Sequence, residues 1–145
     1  MTATADIPLL HTNGIDLSRL PDSIDLAALI RQAQQDPQLG STCSWVLSFS
    51  QEGVPWYMTP ALLVGVRGDV GAVAWSDEPP MVPTNGTNPE PVDYWLGGLH
   101  HTPMEPHTEI PIEQALAAVD EFVRTGQRPT CVEWRTEGAR GAADG

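Results

Sequence analysis

The stretch from Ile110 to Trp134 constrains the fold more than any other part of the chain. Pro111 suits the first helical position, where its missing N–H has no intrahelical partner to lose. Gly126 can take the left-handed conformation that ends a helix, and Pro129 forbids continuation. Between these marks Ile112, Ala115, Leu116, Val119, Phe122 and Val123 recur at steps of three and four. Glu113, Gln114, Asp120, Glu121 and Arg124 fall on the other side. Thr130 to Trp134 then reads as a strand, so the expected unit is an amphipathic helix followed directly by a strand.

Upstream, Asp22 is placed to cap a helix running to about Gln35, with Ile24, Leu26, Ala27, Ala28 and Ile30 as a partly apolar face and Asp25 in its first turn. Asp36-Pro37 stops it. Cys43, Trp45, Leu47 and Phe49 alternate as in a strand, and Glu52-Gly53 makes a turn. Ala61–Val66 and Val70–Trp75 flank Arg67-Gly68-Asp69, which predicts a β-hairpin; the tripeptide is read as turn chemistry and not as an adhesion motif. Ser76 to Pro91 is rich in Pro, Asn and Gly and predicts a long surface loop without helix or strand, a candidate for partner contact. Its Asn85-Gly86-Thr87 matches a glycosylation acceptor, idle in a cytosolic protein. Val92 to Leu96 reads as another strand, broken by Gly97-Gly98, and His100 to Glu109 as a second irregular stretch.

These elements predict an α+β fold, a mostly antiparallel sheet of about five strands packed with two helices. The expected layout is an N-terminal arm over residues 1–20, a single domain over 21–136 and a flexible tail over 137–145. At 145 residues the chain is one ordinary domain and buries roughly 70 % of its unfolded surface without help from disulfides or metals. Its two cysteines, Cys43 and Cys131, fall in predicted strands and are read as buried reduced thiols. The opening residues lack the basic start and long apolar core of a signal peptide, and no apolar run approaches the roughly 20 residues of a membrane span, so a soluble cytoplasmic protein is expected.

The helix-to-strand unit also carries a resemblance. The run I-P-x-x-x-A, then F-V-x-T-G-x-R-P, then a strand Trp is similar to the C-terminal signature of the immunity-protein family numbered first among those of bacterial polymorphic toxin systems. The matching residues are Ile110, Pro111, Ala115, Phe122, Thr125, Gly126, Arg128, Pro129 and Trp134. With weaker support from the upstream hairpin and Tyr94-Trp95-Leu96-Gly97, the resemblance spans residues 40 to 135 and is specific over about the last quarter of that. It implies an α+β inhibitor whose partner is a cognate toxin domain, frequently a nucleic-acid deaminase.

The charge balance suits such a role. Nineteen acidic residues face seven basic ones, all arginine, for a formal net charge of −12. Direct binding to nucleic acid needs clustered Lys and Arg and is disfavoured, whereas basic partners, such as proteins that act on nucleic acid, are attracted. Solubility alone also favours acidic surfaces.

Signs of catalysis are few. Glu109 and Glu113 are one helical turn apart, but acids near a helix N-terminus mostly offset its dipole. No lysine, no Gly-x-Ser-x-Gly and no phosphate-cradling loop is present. His100, His101 and His107 fall within eight residues but lack a zinc spacing. His107-Thr108-Glu109 supplies half of a deaminase signature and the Pro-Cys-x-x-Cys half is missing. The chain is therefore read as a binding protein with no cofactor and no metal, not an enzyme.

Aromatic residues are the expected anchors. Of five tryptophans, Trp45, Trp75 and Trp134 are assigned to the core. Trp56 and Tyr57, outside any predicted strand, are the best exposed anchors, and Trp95 with Asp93 shares a half-wet sheet face. Asp77, Glu78, Glu90, Glu105 and Glu109 are the acidic contacts, placed to imitate phosphates. The reading is a cytoplasmic inhibitor of a basic deaminase toxin that plugs its active site or substrate groove. The alternatives are an acidic adaptor for a non-toxin protein and a small metal-dependent enzyme built on the three histidines.

Overall fold

The computed structural model describes residues 10, 14–36, 39–40, 42–55, 58–77 and 79–136. Its spine is the expected hairpin, Ala61–Arg67 (β3) and Val70–Ser76 (β4), paired residue for residue from Ala61 opposite Ser76 to Arg67 opposite Val70. That register leaves Gly68-Asp69 as a two-residue turn, and Gly68 takes φ 63°, the left-handed region such a tight turn demands. The turn is tied down from three sides. The Gln34 amide donates to the Gly68 carbonyl and accepts from its N–H, and the Asp69 carbonyl accepts from the N–H of Ile112.

Cys43–Ser48 (β2) pairs antiparallel with β3. Its other edge is shared by two short strands, Gly14–Asp16 (β1) opposite Val46–Ser48 and Trp95–Leu96 (β6) opposite Cys43-Ser44, both parallel to β2. His100–His101 (β7) folds back on β6; on the far side, β4 pairs with Met81–Pro83 (β5) and with Glu109–Pro111 (β8), and β5 pairs with Trp134–Thr136 (β9). The α+β class stands. Among the described residues, however, the sheet has nine strands in place of about five and is partly parallel.

Among the described residues are two α-helices, Leu26–Gln32 (α1) and Ile112–Thr125 (α2), and two 3-10 turns, Leu17–Arg19 and Ala33–Gln35, the second continuing α1. In α2 the predicted face is buried through Ile112, Ala115, Leu116, Val119 and Phe122, and Gly126 ends it at φ 69°. Pro111 stands one position earlier than expected, as the extended residue before the first turn. In α1 the cap is Asp25, whose carboxylate accepts from the Ala28 N–H, and not Asp22. Extended φ and ψ at Asp25 hold the three residues before Leu26 out of the helix.

The helices cover one sheet face. Trp45, Leu47, Leu62, Val64, Val66, Val73 and Trp75 point towards them, and Phe122 meets Trp75 and Phe49 edge-on at 5.5 and 5.4 Å. Gly71 lets α2 sit close, since a Cβ there would fall 2.4 Å from that of Ala115. The opposite face carries Leu63, Ala72 and Ala74 under Tyr94, Met104 and Val92. Gly65 admits the Tyr94 ring; a Cβ would stand 2.6 Å from it. The second irregular stretch thus supplies Met104 to a second covering layer, and the segment Ser76 to Pro91, expected to lack helix and strand, contains β5 of the sheet.

Further differences are local. Leu10 enters the core and Gly14–Asp16 joins the sheet, both within the segment expected to be an arm, while the expected tail lies outside the described residues. Val92 makes an isolated bridge to Met104 in place of starting a strand. The last strand begins at Trp134 because Thr130 and Cys131 are taken by the Glu121 carboxylate, which accepts both backbone N–H groups. No described helix is long and apolar enough to cross a membrane.

Candidate functional site

Where β1 and β6 meet the outer edge of β2, no described residue covers the sheet face turned away from the helices. An open groove of about 510 Å³ lies there, with Gly14, Val46, Ser48 and Leu96 along it and Val54 and Thr59 contributed by the loop after β2. Alternation along β2 produces it: Trp45 and Leu47 point into the helix layer, so Val46 and Ser48 must face the other way. Asp16 closes one end, its carboxylate accepting from the Ser18 hydroxyl and from the N–H groups of Ser18 and Ser50. Those bonds, the Ser18 hydroxyl's first, hold its pKa down at about 2.

Exposed apolar side chains cluster about this end of the sheet. Met58, in the loop that frames the groove, is 65 % exposed, and Leu99, in the β6–β7 turn, is 72 % exposed. Trp56 and Tyr57 belong to the same loop by sequence and lie outside the described residues, as does Glu78. Trp95 is exposed, with its ring 4.7 Å from that of His101, whose Nε2 is 2.8 Å from the Asp93 carboxylate. Since Trp95 pairs with Cys43 and Leu96 with Ser44, Trp95 and Leu96 point to opposite faces, so Trp95 stands beside the groove and not in it.

The other acidic candidates divide. Glu90 and Glu105 are exposed and are held together by Asn88, whose buried side-chain amide donates to both their backbone carbonyls. Its oxygen accepts from the N–H groups of Thr108 and Glu109 at 2.9 Å each, so every hydrogen-bonding position of Asn88 is used. Asp77 is exposed at the far end of the sheet, away from the others. Glu109 is not an exposed contact: it is 3 % exposed and accepts from Arg67 at 2.8 and 2.7 Å and from the Tyr94 hydroxyl at 2.8 Å. Burial opposes its ionisation, but the hydrogen bonds of Arg67 and Tyr94 outweigh it and hold the carboxyl below its ordinary value. Burial, then the carboxylate beside it, pushes the Tyr94 phenol up. The composition of 100–109 hid this residue, whose partner Arg67 lies 42 positions away.

A second, polar concavity of about 930 Å³ lies between β5, β9 and the C-terminal end of α2. Arg128, Gln127, Gln114, Asn85, Glu133 and Asp77 line it. Here the residues of the Thr-Gly-x-Arg-Pro run bond to one another and to β5 and β9. The Thr125 hydroxyl accepts from the Gln127 N–H, the Pro129 carbonyl accepts from the Trp134 indole, and Arg128 donates to the Met81 sulfur. Glu121 receives the Thr130 N–H and hydroxyl and the Cys131 N–H, which hold its pKa at about 2.

The cysteines do not form the expected buried pair. Cys43 is fully buried and its thiol is pushed up to about 12 by loss of solvent, whereas Cys131 is exposed in the loop before β9. His100 and His101 are exposed on β7 and His107 sits near Gly86 with φ 65°. Among the described residues, no three of His, Cys, Asp and Glu gather as a metal-holding group.

The model of a known family, described as Immunity protein Imm1, matches residues 19–136, which take in every element except β1 and part of the turn after it. No curated protein matches the chain.

Proposed function

Because the chain belongs to the Imm1 family of immunity proteins, we propose that it neutralises a nucleic-acid deaminase toxin in the bacterial cytoplasm by binding it stoichiometrically and covering its active site or substrate groove. The family match over residues 19–136 carries the reading. Three features support the finer part: a net charge of −12, acids at Glu90, Asp93 and Glu105 on one end of the sheet, and apolar side chains exposed beside them. A toxin that grips nucleic acid presents a basic groove, and an acidic inhibitor meets it fast and in register. Trp95 is proposed as a contact on the same grounds, Asp77, at the far end of the sheet, on its charge alone, and Trp56, Tyr57 and Glu78 on their sequence, while Glu109 supports the scaffold from inside. Coexpression with the toxin encoded by the neighbouring gene should restore growth. Undiminished killing while the chain is folded and abundant would reject the proposal.

A further inference from the structure

Of the two concavities, the polar one is occupied with its own chemistry: its loop is cross-linked by Glu121, Thr125 and Trp134. The apolar groove is different. Val46, Leu96 and Val54 face into it with no side chain of the described residues filling it, and Met58 stands open on its framing loop. Apolar surface left open in this way is characteristic of a binding site, and its best occupant is a side chain that needs to leave water.

Charge says what should flank that side chain. Among the described residues, the segments bounding this end of the sheet (14–19, 42–55, 58–60 and 90–105) hold Asp16, Glu52, Glu90, Asp93 and Glu105 against a single arginine, Arg19. The other described arginines are Arg67 on β3, which is paired with Glu109, and Arg31, Arg124, Arg128 and Arg135 on α1, on α2 and beyond it. This end of the sheet is therefore net negative around the apolar floor, so a basic peptide would be attracted there and an acidic one repelled.

Resting on the proposed function, we propose that the groove between β1, β2 and β6 is the seat of the toxin, and that it receives one or two large apolar side chains from a toxin segment flanked by Lys or Arg. An apolar anchor in a water-excluding pocket inside a ring of opposite charge is the usual form of an interface hot spot.

The test uses the full chain and the catalytically inactivated toxin domain encoded by the adjacent gene. Val46→Arg puts a like charge in the seat, Ser48→Trp fills it without charge, and Gln127→Arg adds the same charge in the polar concavity. All three are checked for native circular dichroism and melting. Binding should weaken on the order of 100-fold for the first two, the scale of losing an interface anchor, and stay unchanged for the third. In the unsubstituted protein, the methyl resonances of Val46 and Leu96 should shift on binding, which needs no variant to fold. Wild-type affinity in both groove variants, with unmoved methyl resonances, would overturn this placement and leave the proposed function standing. Failure of the unsubstituted chain to bind that toxin would overturn the proposed function, and this placement with it.

Discussion

Glu109→Gln isolates the one buried carboxylate that joins the sheet to its second covering layer. Shape is conserved, so the change removes charge and not volume. The carboxylate accepts three hydrogen bonds, two from Arg67 and one from Tyr94; the amide has one oxygen, and its NH₂ must face a donor. Arg67 is 44 % exposed and can turn to water, so the full cost of an orphaned buried charge does not apply. Losing one charge-assisted bond leaves a cost of about 2 kcal/mol, which lowers the melting temperature by about 4–8 °C in a chain of this size. Urea unfolding at pH 7 measures it, and a cycle with Tyr94→Phe should show coupling between the two sites. The pH dependence supplies a second reading. Glu109 has its folded pKa below its ordinary 4.5, so its contribution is present above the unfolded value and is lost as pH falls through the folded one. The gap between wild type and variant should therefore close in acid below that value. A gap under about 0.5 kcal/mol at pH 7, or one that does not narrow down to pH 3, would refute the assignment.

Gly86→Ala should be among the most damaging single changes, because its Cβ would fall 2.0 Å from the His107 carbonyl oxygen, which is backbone and cannot swing aside; a loss of about 1–3 kcal/mol in urea unfolding is expected. Asp25→Ala should cost about 1 kcal/mol by the same assay, and Asp22→Ala close to nothing, which separates the two cap assignments. With a maleimide at neutral pH, Cys131 should react in the folded protein and Cys43 only on unfolding. Since burial and then Glu121 raise the Cys131 thiol, its rate should climb as pH is raised above neutrality. For the toxin complex, raising salt should slow association much more than it speeds dissociation.

What could be read from the sequence was what neighbouring residues decide among themselves. The β3–β4 hairpin followed from a Gly between alternating runs, and α2 from its stripe and Gly126, because turn and helix signals act within a few positions. β5 was hidden because Met81–Pro83 is ordered by Thr136, Arg135 and Trp134, more than fifty positions on. β1 was hidden because three residues in parallel pairing carry no pattern of their own, whereas β6 is the end of the strand expected over Val92 to Leu96. Glu109 looked like a loop acid because nothing near it in sequence reveals Arg67. The same distance effect hid the groove, whose walls come from residues 14–16, 46, 48, 50, 54, 59 and 96.

One wall of that groove has an unusual place in the chain. Gly14–Asp16 lies ahead of the stretch that aligns with the family, 19–136, yet it hydrogen-bonds directly to β2. The cleft's lip is thus set by three residues ahead of the matched stretch and is tied to the shared frame through the β2 ladder and the bond from the Ser50 N–H to Asp16.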